Sequence, residues 1–153
     1  MSILKIGDTA PDFTGSDQYG NTISLADFKG KKLILYFYPK DNTPGCTAEA
    51  CSLKDANVQL LRKGFSIVGV SKDSLDSHKK FTEKFSLPFS LISDKDLKIM
   101  NDYGVWGEKK FMGKTVIGTI RTTFIISETG IIEHILSKVN TKEHGEQILD
   151  LYK

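Results

Sequence analysis

The stretch from Leu33 to Cys51, LILYFYPKDNTPGCTAEAC, constrains the fold more than any other part of the chain. It opens with an unbroken apolar and aromatic run, Leu33 to Tyr38, set between Gly30-Lys-Lys and Pro39. That profile predicts a strand buried on both faces. Asp41-Asn42-Thr43-Pro44-Gly45 is turn chemistry. From Cys46 onward Ala50, Leu53, Ala56 or Asn57, and Leu60-Leu61 recur at helical spacing, so a helix follows the turn. Thr43 suits the N-cap and Pro44 the first helical position, where a missing N–H has no intrahelical partner to lose. Cys46 therefore falls in the first turn, and Gly45 weakens the helix start.

A thiol in a first helical turn faces unpaired backbone N–H groups and the positive end of the helix dipole, and both favour thiolate over thiol. The alternative fate is an inert, buried cysteine. Cys51 is the only other cysteine. The Cys46-x4-Cys51 spacing puts the two Cα atoms roughly 8.5 Å apart on an intact helix. Disulfides need Cα atoms within about 7 Å, so a bridge requires the first turns to unwind. Two possibilities follow: unrelated thiols, or a pair that bonds transiently in a cycle that includes local unfolding.

The rest of the chain supplies a scaffold of alternating strands and helices. Ala10-Pro11-Asp12-Phe13 and Asn21-Thr-Ile-Ser24 flank a turn at Asp17-Gln-Tyr-Gly20, predicting an N-terminal hairpin ahead of the main sheet. Ser24 to Phe28 reads as one helical turn. The cysteine helix ends near Lys63-Gly64, and Phe65 to Val70 is a second buried strand, parallel to the first because a β-helix-β crossover of this length permits little else. Ser74 to Phe85 is a helix with apolar positions Leu75, Phe81 and Phe85, stopped by Leu87-Pro88. A brief strand, Ser90 to Ser93, precedes a short helix from Asp94 or Lys95 to Tyr103. Val105 to Gly118 is Gly-rich and reads as irregular. Strands Arg121 to Ser127 and Ile131 to Leu136 surround a turn at Glu128-Thr-Gly130, and Lys142 to Tyr152 forms a closing helix. The outcome is an α/β chain with parallel connections first and an antiparallel hairpin last.

With 153 residues, one domain spanning 1–153 is expected, large enough to bury about 70% of its unfolded surface without a metal or disulfide staple. The net charge of +2 arises from interspersed Lys and Asp/Glu, with no basic stripe, which argues against a nucleic-acid surface. The start, Met1-Ser-Ile-Leu-Lys-Ile-Gly7, carries no leader pattern and nothing reaches membrane-spanning length, so a cytoplasmic protein is expected. In such a reducing compartment two cysteines do not stay bridged for structural reasons, which favours transient use. Zinc is set aside, because Cys46 and Cys51 lack a second ligand pair at finger spacing and His78, His134 and His144 sit in unrelated patterns.

Pro39-x-x-x-Thr43-x-x-Cys46 resembles the active-site signature of the peroxiredoxins. Phe37-Tyr-Pro-Lys40 with Thr43-Pro-Gly-Cys-Thr47 and Cys51 is similar to the bacterioferritin comigratory protein, or peroxiredoxin Q, branch. Asp12-Phe13, Leu91-Ile-Ser-Asp94, Tyr103-Gly-Val-Trp-Gly107 with Glu108-Lys109, Phe111-Met-Gly-Lys114 and Arg121-x-x-Phe124-Ile-Ile126 follow that branch in order and spacing, covering nearly the whole chain.

The resemblance implies a thioredoxin-like fold with an N-terminal β-hairpin extension and a central mixed sheet flanked by helices. It implies a thiol peroxidase acting on hydrogen peroxide and organic hydroperoxides, without cofactor or metal. Cys46 would attack the peroxide and become a sulfenic acid, Cys51 would resolve it as an intramolecular disulfide, and thioredoxin would restore the thiols. With both cysteines in one helix no partner subunit is needed, and a monomer is expected. Thr43 would point its hydroxyl into the pocket, and Pro39 would shape and shield it by removing a donor. The chain has only two arginines, Arg62 and Arg121, among 21 basic residues, so an arginine hints at a need for its planar fork. Taken alone Arg121 reads as an edge charge; the family pattern places it beside Cys46, with Glu49 orienting it rather than lying on a solvated helix face. Trp106 and Phe111 either line the substrate side or simply pack. Two other functions fit the same fold: a thiol-disulfide oxidoreductase, which would normally carry Cys-x-x-Cys, and a non-enzymatic peroxide-sensing switch.

Overall fold

The computed structural model describes residues 4–153. Residues 1–3, the beginning of the N-terminal stretch in which no leader is expected, lie outside the described residues. The strands are β1 (Thr14–Ser16), β2 (Thr22–Ser24), β3 (Lys32–Phe37), β4 (Phe65–Ser71), β5 (Ser90–Ser93), β6 (Trp106–Phe111), β7 (Lys114–Thr119), β8 (Thr122–Ile126) and β9 (Ile132–Leu136). The helices are α1 (Pro44–Arg62), α2 (Leu75–Phe85), α3 (Lys98–Asp102) and α4 (His144–Leu151), with a 3₁₀ turn at Leu25–Phe28. Seven strands form one sheet in the order β2-β1-β5-β4-β3-β8-β9, while β6 and β7 pair separately.

β3 lies in the interior of this sheet, between β4 and β8, and its sequence explains why. Leu33, Leu35 and Phe37 join one core with Phe13, Met100, Tyr103 and Phe124. Ile34, Tyr36 and Tyr38 join a second core with Ala50, Leu53 and Leu60 of α1 and Ile148 of α4. A strand apolar at every position is satisfied only between two such layers. Each large side chain fully buried there contributes about 1.5–3 kcal/mol. β3 runs parallel to β4, from Lys32 opposite Phe65 to Phe37 opposite Val70, as expected for a crossover through α1. It runs antiparallel to β8, from Leu33 opposite Ile126 to Phe37 opposite Thr122. That register delivers Arg121, the residue before β8, to the end of β3 from which α1 departs.

Several boundaries differ from the sequence expectation. The N-terminal hairpin uses Thr14–Ser16 as its first strand, because Ala10 and Phe13 are drawn into the core instead. It is also part of the main sheet, through Ser16 opposite Ser93. The helix expected from Asp94 or Lys95 begins only at Lys98. The Asp94 carboxylate accepts hydrogen bonds from the backbone N–H groups of Ile99 and Met100, and Leu97 adopts a left-handed φ of 64°, so residues 94–97 are spent on a turn. In α2, Leu75 faces solvent, while His78, Phe81 and Thr82 form the buried side. α4 starts at His144 rather than Lys142.

The largest correction is Val105 to Gly118. It is not irregular: β6 and β7 pair from Trp106 opposite Thr119 to Phe111 opposite Lys114. Met112 and Gly113, both at positive φ (52° and 80°), make the two-residue connection. Gly107 sits opposite Gly118, and a Cβ on Gly118 would lie 3.3 Å from Lys109 Cε. Gly118, one of the glycines that read as irregular structure, instead clears a path for the Lys109 stem.

Candidate active site

Thr43 occupies the N-cap position of α1 with extended backbone (φ −96°, ψ 156°), and its carbonyl accepts the first helical hydrogen bond from Thr47 N–H at 2.8 Å. Its hydroxyl does not cap the helix. It donates instead to the carbonyl of Lys40 at 2.8 Å, which leaves the oxygen free to accept. The loop ahead of it is held rigid from behind. Asp41 accepts from the hydroxyls of Tyr38 (2.6 Å) and Ser77 (2.8 Å) and lies 2.6 Å from His78 Nδ1, while its own N–H donates to Asp73 at 2.8 Å. The carboxylate and imidazole atoms of this cluster are occupied by protein partners, so it reads as an anchor for the loop.

Cys46 is 2% exposed and Cys51 is half-buried; both are free thiols in the unbroken helix Pro44–Arg62. Arg121 reaches across from the sheet. Its Nη2 donates to Cys46 Sγ at 3.3 Å, and its Nη1 donates to Glu49 Oε1 in an ion pair. The two arms of one planar group thus engage residues one helical turn apart, a fit that lysine cannot reproduce. Gly45 makes room for it: a Cβ there would come within 3.3 Å of Arg121 Nη2. The glycine expected to loosen the helix start also provides clearance for the guanidinium.

Glu49 is fully buried. Burial pushes its carboxyl up to about 7, against the downward pull of Arg121, so the ion pair recovers only part of the desolvation penalty. Arg121 in turn loses solvation, but Glu49 and Cys46 outweigh that loss and hold its charge more firmly than usual. Burial raises the Cys51 thiol, with Lys54 offsetting part of the effect.

Pro39 is half-buried and closes β3, next to Tyr38, whose N–H donates to Val70. Trp106 packs against the core that contains Phe37 and lies under the Lys72 ammonium, 5.6 Å from the ring centroid. Phe111 is 61% exposed near the hairpin tip. Neither aromatic belongs to the hydrogen-bonded group around Cys46. A cleft of about 450 Å³, lined in part by Thr14, Ser93, Asp94 and Lys98, touches none of these residues.

Two participants escaped the sequence reading. His144, fully buried at the start of α4, places Nε2 2.7 Å from Thr123 Oγ1 and 3.7 Å from Glu49 Oε2. Lys109 anchors its ammonium on the carbonyl of Thr119 at 2.6 Å. Burial and the neighbouring Arg121 lower its proton affinity, with Cys46 acting in the opposite sense. The Glu108-Lys109-Lys110 run of β6 hides Lys109 among surface lysines; only the passage of its stem over Gly118 of β7 distinguishes it.

Comparisons with known proteins agree with this geometry. Residues 6–135 match the AhpC/TSA family. Peroxiredoxin Bcp of Escherichia coli K12 is 43% identical over 153 residues, covering 100% of this chain and 98% of that protein. Peroxiredoxin Bcp of Bacillus subtilis 168 is 42% identical over 150 residues, 98% of this chain and 96% of that one. Among solved structures, a cysteine-to-serine variant of Xylella fastidiosa PrxQ superposes with a TM-score of 0.92 at 33% identity, covering 99% of this chain and 97% of that one. A cysteine-to-serine variant of Xanthomonas campestris peroxiredoxin Q gives 0.85 at 35% identity, covering 92% and 89%. A thioredoxin-like sheet, a buried thiol under an arginine fork and full-length similarity lead to one conclusion: the chain belongs to the AhpC/TSA family, in its Bcp or peroxiredoxin Q branch.

Proposed function

We propose that this peroxiredoxin reduces hydroperoxides by a two-cysteine cycle contained in α1. The observation that carries the proposal is the Arg121 fork, one arm on Cys46 Sγ and the other on Glu49. A guanidinium aimed at sulfur favours negative charge there and remains in place to meet the charge that develops as the O–O bond breaks. Cys46 attacks the terminal peroxide oxygen; the S–O bond forms, the O–O bond breaks, and the departing alkoxide takes up a proton to leave as ROH. Thr43, whose hydroxyl proton is committed to Lys40, accepts the hydrogen of the incoming O–OH. Pro39 keeps a competing N–H out of the pocket, and in this reading Trp106 and Phe111 line the side taken by larger hydroperoxides.

Cys51 then attacks the Cys46 sulfenic acid, water leaves, and an intramolecular disulfide forms. The first turns of α1 must unwind for this step. A dithiol protein, thioredoxin, exchanges with the disulfide and returns both thiols. One domain suffices for every step, so the enzyme works as a monomer, in the cytoplasm where thiol reductants abound. No described helix is long and apolar enough to cross a membrane. The Xanthomonas bacterioferritin comigratory protein is described as reducing alkyl peroxides, which supports organic hydroperoxides beside hydrogen peroxide as substrates.

The test is peroxide consumption by the reduced protein in the presence of thioredoxin, thioredoxin reductase and NADPH. Sustained turnover is expected. Insulin reduction without peroxide turnover would instead mark a thiol-disulfide oxidoreductase, and a single stoichiometric oxidation without turnover would mark a sensor.

A further inference from the structure

Glu49 Oε2 is buried and accepts no hydrogen bond from any described residue, although the other oxygen of the same carboxyl is paired with Arg121. An orphaned carboxylate oxygen in the interior is strongly unfavourable unless it carries a proton. His144 Nε2 lies 3.7 Å from it.

The state of that imidazole is assigned by its other partners. Gln147 Oε1 accepts from Asn140 N–H at 2.8 Å, and its amide nitrogen donates to the Lys138 carbonyl at 3.2 Å, which fixes the amide orientation. His144 Nδ1 lies 2.9 Å from that same Oε1 and must donate to it. In the neutral ring Nε2 is then a bare acceptor, engaged by the Thr123 hydroxyl at 2.7 Å. Two acceptors, Glu49 Oε2 and His144 Nε2, therefore face each other at 3.7 Å, and with the Nε2 lone pair taken by Thr123 the imidazole offers Oε2 no donor that would stabilise a carboxylate.

We propose that His144 is a positioning residue: by facing Glu49 with an acceptor and no donor it favours a proton on Oε2, and whether that proton is bound decides how firmly Arg121 is held against Cys46. With the proton on Oε2, Glu49 is neutral and its pull on Arg121 is reduced to a hydrogen bond. When the proton departs to solvent, the carboxylate regains its full hold and fixes the fork over the sulfur. The charged and titratable groups facing Glu49 are Arg121 from the segment before β8, Cys46 on its own helix, His144 from α4 and the Tyr36 hydroxyl from β3, which likewise has no hydrogen-bond partner among the described residues. Burial and Arg121 both disfavour a charged His144, so the imidazole stays neutral and carries no N–H at Nε2.

The test follows the Glu49 carboxyl carbon and the Arg121 guanidinium nitrogens by NMR as pH is varied, in the reduced protein. Two variants are expected to move the Glu49 midpoint in opposite directions. His144→Gln places an amide N–H where Nε2 was; this donor favours the carboxylate and should lower the midpoint by about one pH unit. Thr123→Val removes the hydroxyl that competes for Nε2, frees it for the Glu49 O–H, and should raise the midpoint by a similar amount. The Arg121 resonances should shift with the same midpoint in each protein. Equal midpoints in all three proteins, shifts of the same sign in both variants, or Arg121 signals that ignore the Glu49 titration would each overturn the proposal. Only its consequence for rate rests on the peroxidase reading. The resonances report without any peroxide present, so a protein that fails to react with peroxide would sink the peroxidase reading alone.

Discussion

Cys46 and Cys51 ride on the same helix, yet their surroundings differ in each respect that sets thiol chemistry. Cys46 is sealed from solvent, receives a guanidinium hydrogen bond at 3.3 Å, and sits in the first turn of α1 where backbone N–H groups are unpaired. Cys51 is half-buried, lies beyond that turn, has no hydrogen-bonded partner among the described residues, and has its thiol form favoured by burial. The helix supplies the same backbone to both. What separates them is the sheet edge: β3 launches the helix, and the β3–β8 register brings Arg121 to the near thiol alone.

The comparison breaks most visibly if the thiols are removed one at a time. Cys46→Ser should abolish peroxide reduction, whereas Cys51→Ser should keep the first oxidation and lose thioredoxin-coupled turnover, accumulating sulfenic acid detectable by mass spectrometry. A reversal of these two outcomes would exchange the roles assigned to them. Next in size is the fork. Arg121→Lys retains charge but engages one partner at a time, and the rate of Cys46 oxidation should fall by about 10²–10³-fold, the scale of losing a placed charge-stabilising donor. A loss no larger than that of a surface lysine substitution would reduce Arg121 to an edge charge.

Disulfide formation should erase the difference between the two positions. In the oxidised protein, amides from Cys46 to Leu53 should exchange about 10²-fold faster than in the reduced protein, while those from Ala56 to Arg62 remain protected. Equal protection in both redox forms would contradict unwinding. Gly45→Ala brings a methyl group to 3.3 Å from Arg121 Nη2 and should slow Cys46 oxidation about tenfold, less than the 10² expected of a full 1 Å displacement. Because the substitution moves the arginine as well as stiffening the helix, its effect must be read on peroxidation and not on unwinding alone.

The smallest effect concerns stability. Glu49 holds its proton up to about 7 in the folded protein, against 4.5 as an unperturbed carboxyl. Between these values the folded state binds more protons than the unfolded one, so the Glu49 contribution weakens the fold as pH rises through that window. Glu49→Gln cannot titrate. The stability of the variant relative to wild type should therefore climb with pH from about 4.5 to 7, by at most about 1.4 kcal/mol per unit, and then level off. Chemical denaturation at a series of pH values measures the slope; a flat difference would show that Glu49 ionises normally in the fold.

Most of the architecture was legible because the strands and helices that build it are continuous in sequence: Leu33 to Tyr38, Phe65 to Val70 and the α1 face announce themselves by periodicity. The site was legible in part for a different reason: helix-start chemistry singled out Cys46, whereas Arg121 alone read as an edge charge and joined Cys46, with Glu49, only through the family resemblance. The β6–β7 hairpin was not. Its turn, Met112-Gly113, lacks the usual Asn-Gly or Asp-Gly signal, and its paired glycines mimic loop composition. His144 was invisible for a stronger reason. Its meaning depends on α4 docking against α1, where Gly145 N–H donates to Ser52 Oγ at 2.9 Å and a Cβ on Gly145 would strike the Ser52 carbonyl at 2.7 Å. No local pattern encodes a contact made by two helices so far apart in the chain.

The hairpin tip has a bearing on any attempt to count oxygen atoms on this protein. Met112 projects its thioether into water, 86% exposed, whereas Met100 is wholly enclosed and accepts the Thr119 hydroxyl on its sulfur at 3.4 Å. A peroxide dose high enough to oxidise exposed methionine adds one oxygen at Met112, the same mass increment as a sulfenic acid on Cys46. Intact-mass spectra alone therefore confound a bystander with the reacting thiol. Methionine sulfoxide survives thiol reductants that erase a sulfenic acid, so the increment that persists after dithiothreitol belongs to methionine, and a digest assigns it to Met112 with Met100 as the shielded reference.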